Sequence, residues 1–392
     1  MASYFQMGHD SENLVGVADL DDFKGIILSP VNREPTDLVE DLLSFRDREK
    51  HPIEYEIVLD SQLYLPRSDR GKLASHPYFP SDLDSTTELS SPEWWHEVAI
   101  KVANYALELG VDAVTSPILL PKTWSDDYYA LCSQTSAAMA EQLAQTGIST
   151  WLTLIVDLDQ MGSVETALRV SSIVSEYDPA GYYLVVNSDI APRRELRGED
   201  ELAGVMHLIS LLRSTGKPIT VSHASSDLIL YKAAGATNCA TGKFFNLRRF
   251  SKSRYDDPLS GGRVIAYWFE ESLLAFLRSA DVARIKKREM SHLIGVGNSS
   301  NDWAEIIAEL WRTEPGKPWL ALSWRHYLSW FGKTEANFDL GDPIKNAEAI
   351  LIAADQNWGS MNGILLDERE NDGSWVRNWR QALDEFKIRA GI

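Results

Sequence analysis

The sequence predicts an α/β fold, a closed (β/α)8 barrel of the TIM type with a C-terminal helical extension. Two observations predict it: short apolar runs alternate with longer amphipathic stretches, and eight such runs recur along the first part of the chain. Strands that alternate with helices imply right-handed crossovers and a parallel sheet. Eight units over roughly 250 residues fit a closed barrel better than an open doubly wound sheet.

Each predicted strand is a short apolar run, and six amphipathic stretches between the runs have the period of a helix. The predicted strands are residues 25–30, 55–59, 111–115, 151–156, 182–186, 218–221, 236–240 and 263–268, and the helices are 36–48, 92–109, 126–145, 163–177, 200–214 and 227–234. The polar loop 66–91 is long enough to be a functional insertion or lid. These elements predict a tail over residues 1–22, a barrel over 23–280 and a helical region over 281–392.

The C-terminal region is predicted to be helical and rich in tryptophan. Helices are expected over 301–312, 319–331, 343–358 and 374–389, and eight of the 13 Trp residues lie beyond position 300. Aromatic side chains at this density favour a core packed on the barrel. A docking surface for a protein partner is the alternative interpretation.

Composition excludes several classes of protein. The net charge of −19 over 392 residues disfavours general coating of nucleic acid or anionic membrane, so a polyanion would need a local basic patch. The longest apolar runs are too short for a membrane span. Two cysteines and no signal-peptide core indicate a reducing, cytoplasmic location. Glycine-rich dinucleotide and phosphate loops and His-rich metal motifs are missing, so neither a cofactor nor a metal is expected.

Catalytic side chains are expected where strands end, because active sites of such barrels lie at the C-terminal ends of the strands. Asp60 follows a five-residue apolar run, and Asp157 follows a run two strands further round. Two carboxylates across a pocket suit glycosidic chemistry, in which one stabilises or attacks a cationic centre and the other moves a proton. His223, after the sixth predicted strand, is a third candidate, as an acid or base. Each of the three could instead close a loop or cap a helix.

Basic residues are concentrated in two loops that should emerge on the same face as Asp60. Between positions 241 and 263 six cationic residues stand against two aspartates, and Arg193, Arg194 and Arg197 follow the fifth predicted strand. Guanidinium groups suit phosphate, so a nucleotide or nucleic acid is the predicted partner, although an internal ion-pair network is equally compatible. The residues expected to bind substrate are Asn32, Ser61, Gln62, Asn187, Arg193, Lys243, Arg248 and Arg249.

The segment Ile57–Tyr64, with Asp60 and Ser61 at the strand end, resembles the Asp-Ser motif of the tRNA-guanine transglycosylase superfamily. His292–Gly297 is similar to the family's Met-Gly-Val-Gly segment. The resemblance implies a (β/α)8 barrel, catalysis by Asp60 and base exchange at an N-glycosidic bond. This chain has Gln62 and Leu63 where the family has glycines, and it has no counterpart of the family's zinc-binding cysteines.

Three functional hypotheses follow. The first is a barrel enzyme that acts on a nucleotide or nucleic acid, with cleavage or exchange of an N-glycosidic bond as the expected reaction. The second is a glycoside hydrolase with Trp94, Trp95 and Trp124 as aromatic platforms for sugars. The third is a non-catalytic barrel that serves as a subunit of a larger assembly.

Overall fold

A computed structural model shows eight parallel strands hydrogen bonded in chain order into a closed barrel. It describes residues 3–9, 20, 22–47, 49, 53–65, 71–81, 91–250, 252–255, 267–288, 302–313, 320–361, 363–364, 366 and 372–392. The barrel strands are β1 Ser3–Gln6, β2 Phe23–Leu28, β3 Glu56–Leu59, β4 Ala113–Thr115, β5 Ser149–Asp157, β6 Gly181–Asn187, β7 Ile219–Ser222 and β8 Asn238–Gly242. The predicted fold class is therefore confirmed.

The first barrel strand lies in the segment predicted to be a tail. Ser3–Gln6 pairs with β2 on one side and with β8 on the other, so this strand closes the barrel. All four of its residues are buried. The strand was missed because Tyr4 and Phe5 form an apolar run of only two residues, shorter than any pattern that separates a strand from a loop.

The eighth predicted strand, residues 263–268, is wrong as a barrel strand. Residues 263–266 lie outside the described part of the chain, and Tyr267–Glu270 forms β9, which pairs antiparallel with β10, Ala275–Arg278. This hairpin is a separate two-stranded sheet. An apolar run of this length has the same composition in a hairpin as in a barrel strand, so the sequence does not separate the two.

Helices follow barrel strands β2 to β7 and cover the outside of the barrel. Helix starts are fixed by side chains that accept orphan backbone N–H groups, such as Ser91, Ser125 and Ser163. These helices are α1 Pro35–Arg46, α2 Pro92–Leu109, α3 Asp126–Gln142, α4 Val164–Val174, α5 Glu199–Ser214 and α6 Leu228–Ala233.

The C-terminal helices complete the outer layer. The described helices of this region are α7 Ser279–Lys287, α8 Asp302–Thr313, α9 Leu320–Phe338, α10 Pro343–Ser360 and α11 Ser374–Ala390, and the last four match the predicted helices. Helix α9 packs on β1 and β8, and α11 packs on α5. Trp375 and Trp379 of α11 are buried, as expected for a tryptophan-rich core. Among the described helices, none has both the length and the apolar composition that a membrane span needs.

Candidate active site at the C-terminal end of the barrel

Asp60 is buried directly after β3, and two tyrosine hydroxyl groups donate to its carboxylate. Tyr64 donates to Oδ2 at 2.9 Å and Oδ1 at 3.0 Å, and Tyr183 of β6 donates to Oδ2 at 3.3 Å. The backbone N–H of Gln62 donates to Oδ1 at 2.9 Å. Burial, and then the charge of Asp60, raise the pKa of Tyr64 well above its ordinary value. Tyr64 therefore stays protonated and donating at neutral pH.

Gln6 connects this carboxylate to His223 from inside the barrel. The backbone N–H of His223 donates to Gln6 Oε1 at 2.8 Å, which fixes the orientation of the amide. Gln6 Nε2 then donates to the Tyr183 hydroxyl at 3.2 Å and faces His223 Nδ1 at 3.3 Å. The Ser222 hydroxyl, which donates to the Leu184 carbonyl at 3.2 Å, lies 3.1 Å from the same nitrogen, so Nδ1 faces one group that donates and one that can accept. Gln6 and Ser222 thus orient the imidazole through Nδ1.

Two residues of this site have left-handed backbone conformations. Gln62 after β3 has φ of 56°, and His223 after β7 has φ of 54°. Such angles are uncommon for residues other than glycine, cost free energy and occur preferentially at functional sites. The two turns place the groups around Asp60 at the expense of backbone strain.

Polar groups that follow strands β2 and β3 stabilise the turn at Gln62. Gln62 Oε1 accepts the backbone N–H of Val31 at 3.1 Å and the Ser29 hydroxyl at 3.3 Å. Asn32 donates to Ser29 Oγ at 2.7 Å, and the Ser61 carbonyl accepts the Tyr78 hydroxyl at 3.0 Å. Ser61 and Gln62 follow Asp60 directly, Asn32 is linked to Gln62 through Ser29, and in this structure the polar groups named here bind other protein groups.

Asp157 lies closer to the mouth of the barrel. It pairs in register with Asn187, whose Nδ2 donates to Asp157 Oδ1 at 3.2 Å. Asn187 is on the same face of β6 as Tyr183, four residues and therefore about 13 Å further along the strand. Burial raises the pKa of Asp157, opposed by the Asn187 hydrogen bond and the charge of Lys252. Asn187 Oδ1 is buried, and no group of the described residues donates a hydrogen bond to it, so it can accept one from a substrate.

Arg248 and Lys243, predicted to bind phosphate, are buried against aromatic rings. The Arg248 guanidinium lies 3.7 Å from the centroid of Tyr327 and donates to the carbonyl groups of Gly242 and Lys243 at 3.0 Å each. Burial lowers the pKa of Arg248 to about 10. The ammonium of Lys243 lies 4.3 Å from the centroid of Trp324. Both cations therefore stabilise the loop after β8.

Arg249 is held by two buried carboxylates. Its Nη2 lies 3.4 Å from Glu195 and 3.5 Å from Asp227, which come from the loops after β6 and β7. Burial raises the pKa of Glu195 to about 7, and the charge of Arg249 opposes that rise. This is the internal ion-pair arrangement that the sequence left open as the alternative to phosphate binding.

Other basic residues remain at the surface of the same face. Arg193 and Arg194 are exposed in the turn after β6, and Lys252 is exposed after β8. Phe250 is buried, and its ring contacts those of His223 and Tyr64 at centroid distances of 5.4 and 5.2 Å. The segment His292–Gly297, part of the resemblance, lies outside the described residues.

Three residues of this network were not predicted as site residues: Gln6, Tyr64 and Tyr183. Tyr183 could have been found from strand alternation, which places it on the same face as Asn187. Gln6 could not, because its strand was not recognised. Within the described part of the chain, groups of three or more His, Cys, Asp or Glu arranged to hold a metal ion do not occur.

Neither a protein-family model nor a curated protein matches this chain. Solved structures match at low identity. A glycosyl hydrolase of the GH3 family from Mycobacterium smegmatis has a TM-score of 0.39 and 15% identity, over 62% of this chain and 83% of that chain. Oxaloacetate acetylhydrolase has a TM-score of 0.35 and 11% identity, over 62% of this chain and 76% of that chain.

Proposed function

We propose that the protein is a barrel enzyme that cleaves or exchanges a glycosidic bond, and specifically the N-glycosidic bond of a nucleotide or nucleic acid. The observation that carries the proposal is the hydrogen-bonded chain from Asp60 through Tyr183 and Gln6 to His223 at the C-terminal end of the barrel. It joins a carboxylate to an imidazole, two groups that suit nucleophilic or electrostatic and acid–base roles.

Each group has a role in such a reaction. The Asp60 carboxylate stabilises or attacks the cationic sugar carbon, while Tyr64 and Tyr183 orient its oxygens. His223 Nε2 delivers a proton to the leaving group. Asp157 and Asn187 Oδ1, nearer the mouth, accept hydrogen bonds from the substrate. The exposed Arg193, Arg194 and Lys252 attract its phosphate.

Turnover by matched variants tests the chemistry. Base release from nucleosides and nucleotides, and aglycone release from aryl glycosides, would be measured for wild type, Asp60→Asn and His223→Gln. We expect Asp60→Asn to lose activity at least about 1,000-fold and His223→Gln about 100-fold or more. Asp159→Asn is the control, because Asp159 is exposed beside the same site. Full activity in Asp60→Asn would refute the assignment.

Binding of labelled tRNA, single-stranded DNA and duplex DNA, measured by fluorescence anisotropy at two salt concentrations, tests the substrate class. We expect binding that weakens with salt and falls in an Arg193→Glu/Arg194→Glu variant. Aryl glycoside turnover without nucleic-acid binding would instead favour a glycoside hydrolase.

A non-catalytic barrel subunit is the second candidate. The observation that favours it is burial, because Asp60 is only 1% exposed and a substrate would need the loops above it to open. Under this hypothesis the network is a polar core. Asp60→Asn would then lower stability without changing any turnover.

A further inference from the structure

A cavity lies outside the barrel, between the β9–β10 hairpin and helices α9 and α10. Its volume is about 470 Å³, within the range of small-molecule binding sites. Most of its lining is apolar or aromatic. The principal apolar lining residues are Leu274, Trp330, Phe338, Ile350 and Ala354.

Polar groups meet on the walls of this cavity. Glu271 and Ser272 come from the hairpin turn, Thr334 and Asn337 from α9, and Asn346 from α10. A few polar groups on apolar walls are the usual means by which a pocket fixes the orientation of a ligand. The cavity therefore has both parts of a binding site.

The hairpin wall is acidic. Glu270, next to Glu271, is fully buried and accepts the Trp268 indole N–H at 2.8 Å and the Ser272 hydroxyl at 2.7 Å, which fix the position of its carboxyl group. Burial and the charge of Glu270 raise the pKa of Glu271 to about 7, and the ammonium of Lys333 opposes the rise. Burial and Glu270 thus both disfavour the ionised form of the Glu271 carboxyl group on this wall, so a ligand that brings a positive charge is complementary to it.

We propose that this cavity binds a small organic amine with a flat apolar body. Its ammonium group would pair with Glu271, and its apolar part would pack on Trp330 and Phe338. A neutral apolar ligand would bury Glu271 without a new partner, and an anion would be repelled by both carboxylates. The proposal is independent of the chemistry at Asp60.

Matched probes test the charge requirement. The probes are phenethylamine, the neutral 2-phenylethanol and the anionic 3-phenylpropionate, which share a phenyl ring and a short chain. Protein labelled with 5-fluorotryptophan gives a fluorine resonance for Trp330, assigned by its loss in Trp330→Phe. We expect phenethylamine to shift this resonance saturably and to bind at least tenfold more tightly than the alcohol or the acid.

Two variants test the location. Glu271→Gln should lose at least tenfold affinity for phenethylamine and leave the affinity for 2-phenylethanol unchanged. Ala353 lies at the exposed rim of the cavity, so Ala353→Trp should block binding by filling space, whereas Gln356→Trp, exposed on the same helix and outside the lining, should not. Thermal unfolding of each variant checks that the fold is retained.

Several outcomes would overturn the proposal. Equal affinity for the amine and the alcohol would remove the role of charge, and unchanged amine binding in Ala353→Trp would place the probe elsewhere. A Trp330 resonance that moves with protein concentration before any probe is added would show that a second copy of the chain covers the cavity. None of these results depends on turnover at Asp60.

Discussion

Glu335 of helix α9 accepts the backbone N–H of Cys239 in β8 at 2.7 Å. Its other carboxylate oxygen accepts the hydroxyl of Ser3 in β1 at 2.5 Å. One fully buried side chain from the C-terminal region thus joins the two strands between which the barrel closes. Lys232 of α6, 3.7 Å away, is the nearby cation.

Replacing this carboxylate should destabilise the protein strongly. Glu335→Ala leaves the Cys239 N–H without its acceptor and removes a charge partner of Lys232, so we expect a loss of about 3 kcal/mol in the free energy of unfolding. Urea denaturation measures it. Glu309→Ala is the control, because Glu309 forms an exposed pair with Arg312 and its loss should change stability far less. Equal losses in the two variants would contradict the role assigned to Glu335.

Glu195 should make stability depend on pH. Its pKa is about 7 in the folded protein against an ordinary value of 4.5, so the folded state binds the proton more tightly. The associated stability is present below about pH 4.5 and is lost as the pH rises through 7. Glu195→Gln should therefore reduce the fall in unfolding free energy between pH 5 and pH 8, by up to about 3 kcal/mol. Parallel curves for wild type and variant would show that Glu195 does not titrate in this range.

The Tyr64 hydroxyl should contribute more to stability than an ordinary tyrosine hydroxyl, because its acceptor is a buried carboxylate. We expect Tyr64→Phe to cost about 2 kcal/mol. Tyr128→Phe is a matched control, since the hydroxyl of Tyr128 donates to the backbone carbonyl of Leu119 at 3.1 Å, and it should cost about 1 kcal/mol. Denaturant unfolding of both variants gives the comparison. A smaller loss of unfolding free energy in Tyr64→Phe than in Tyr128→Phe would show that the Asp60 carboxylate does not need this hydrogen-bond donor.

Two helical glycines should respond to alanine in opposite directions. A Cβ at Gly204 of α5 would collide with the backbone carbonyl oxygen of Met161, whereas a Cβ at Gly359 of α10 meets no atom within 4 Å. Gly204→Ala should therefore lower stability by about 2 kcal/mol despite the better helix propensity of alanine. Gly359→Ala should raise stability by up to about 1 kcal/mol. Thermal unfolding of the pair distinguishes packing from propensity.

Strand periodicity predicted seven of the barrel strands and the position of Asp60, because both are local properties of the chain. The burial of Arg248 and Arg249 was not predictable in the same way. Their partners, Tyr327, Glu195 and Asp227, come from distant segments that the fold brings together. The sequence pattern of a cationic cluster is the same whether its side chains bind a ligand or pair with buried carboxylates. The position of His223 likewise depends on Gln6, which lies 217 positions away and accepts its backbone N–H.

The pairing of β1 with β8 has a consequence for the synthesis of the protein. The N-terminal part of a chain leaves the ribosome first, so β1 (Ser3–Gln6) emerges long before β8 (Asn238–Gly242), with which it pairs to close the barrel. Until then the nascent sheet has two open edges, which can pair with other chains. Glu335, which accepts the backbone N–H of Cys239, is synthesised almost a hundred residues after β8. We therefore expect final closure to be a late step in folding that depends on α9.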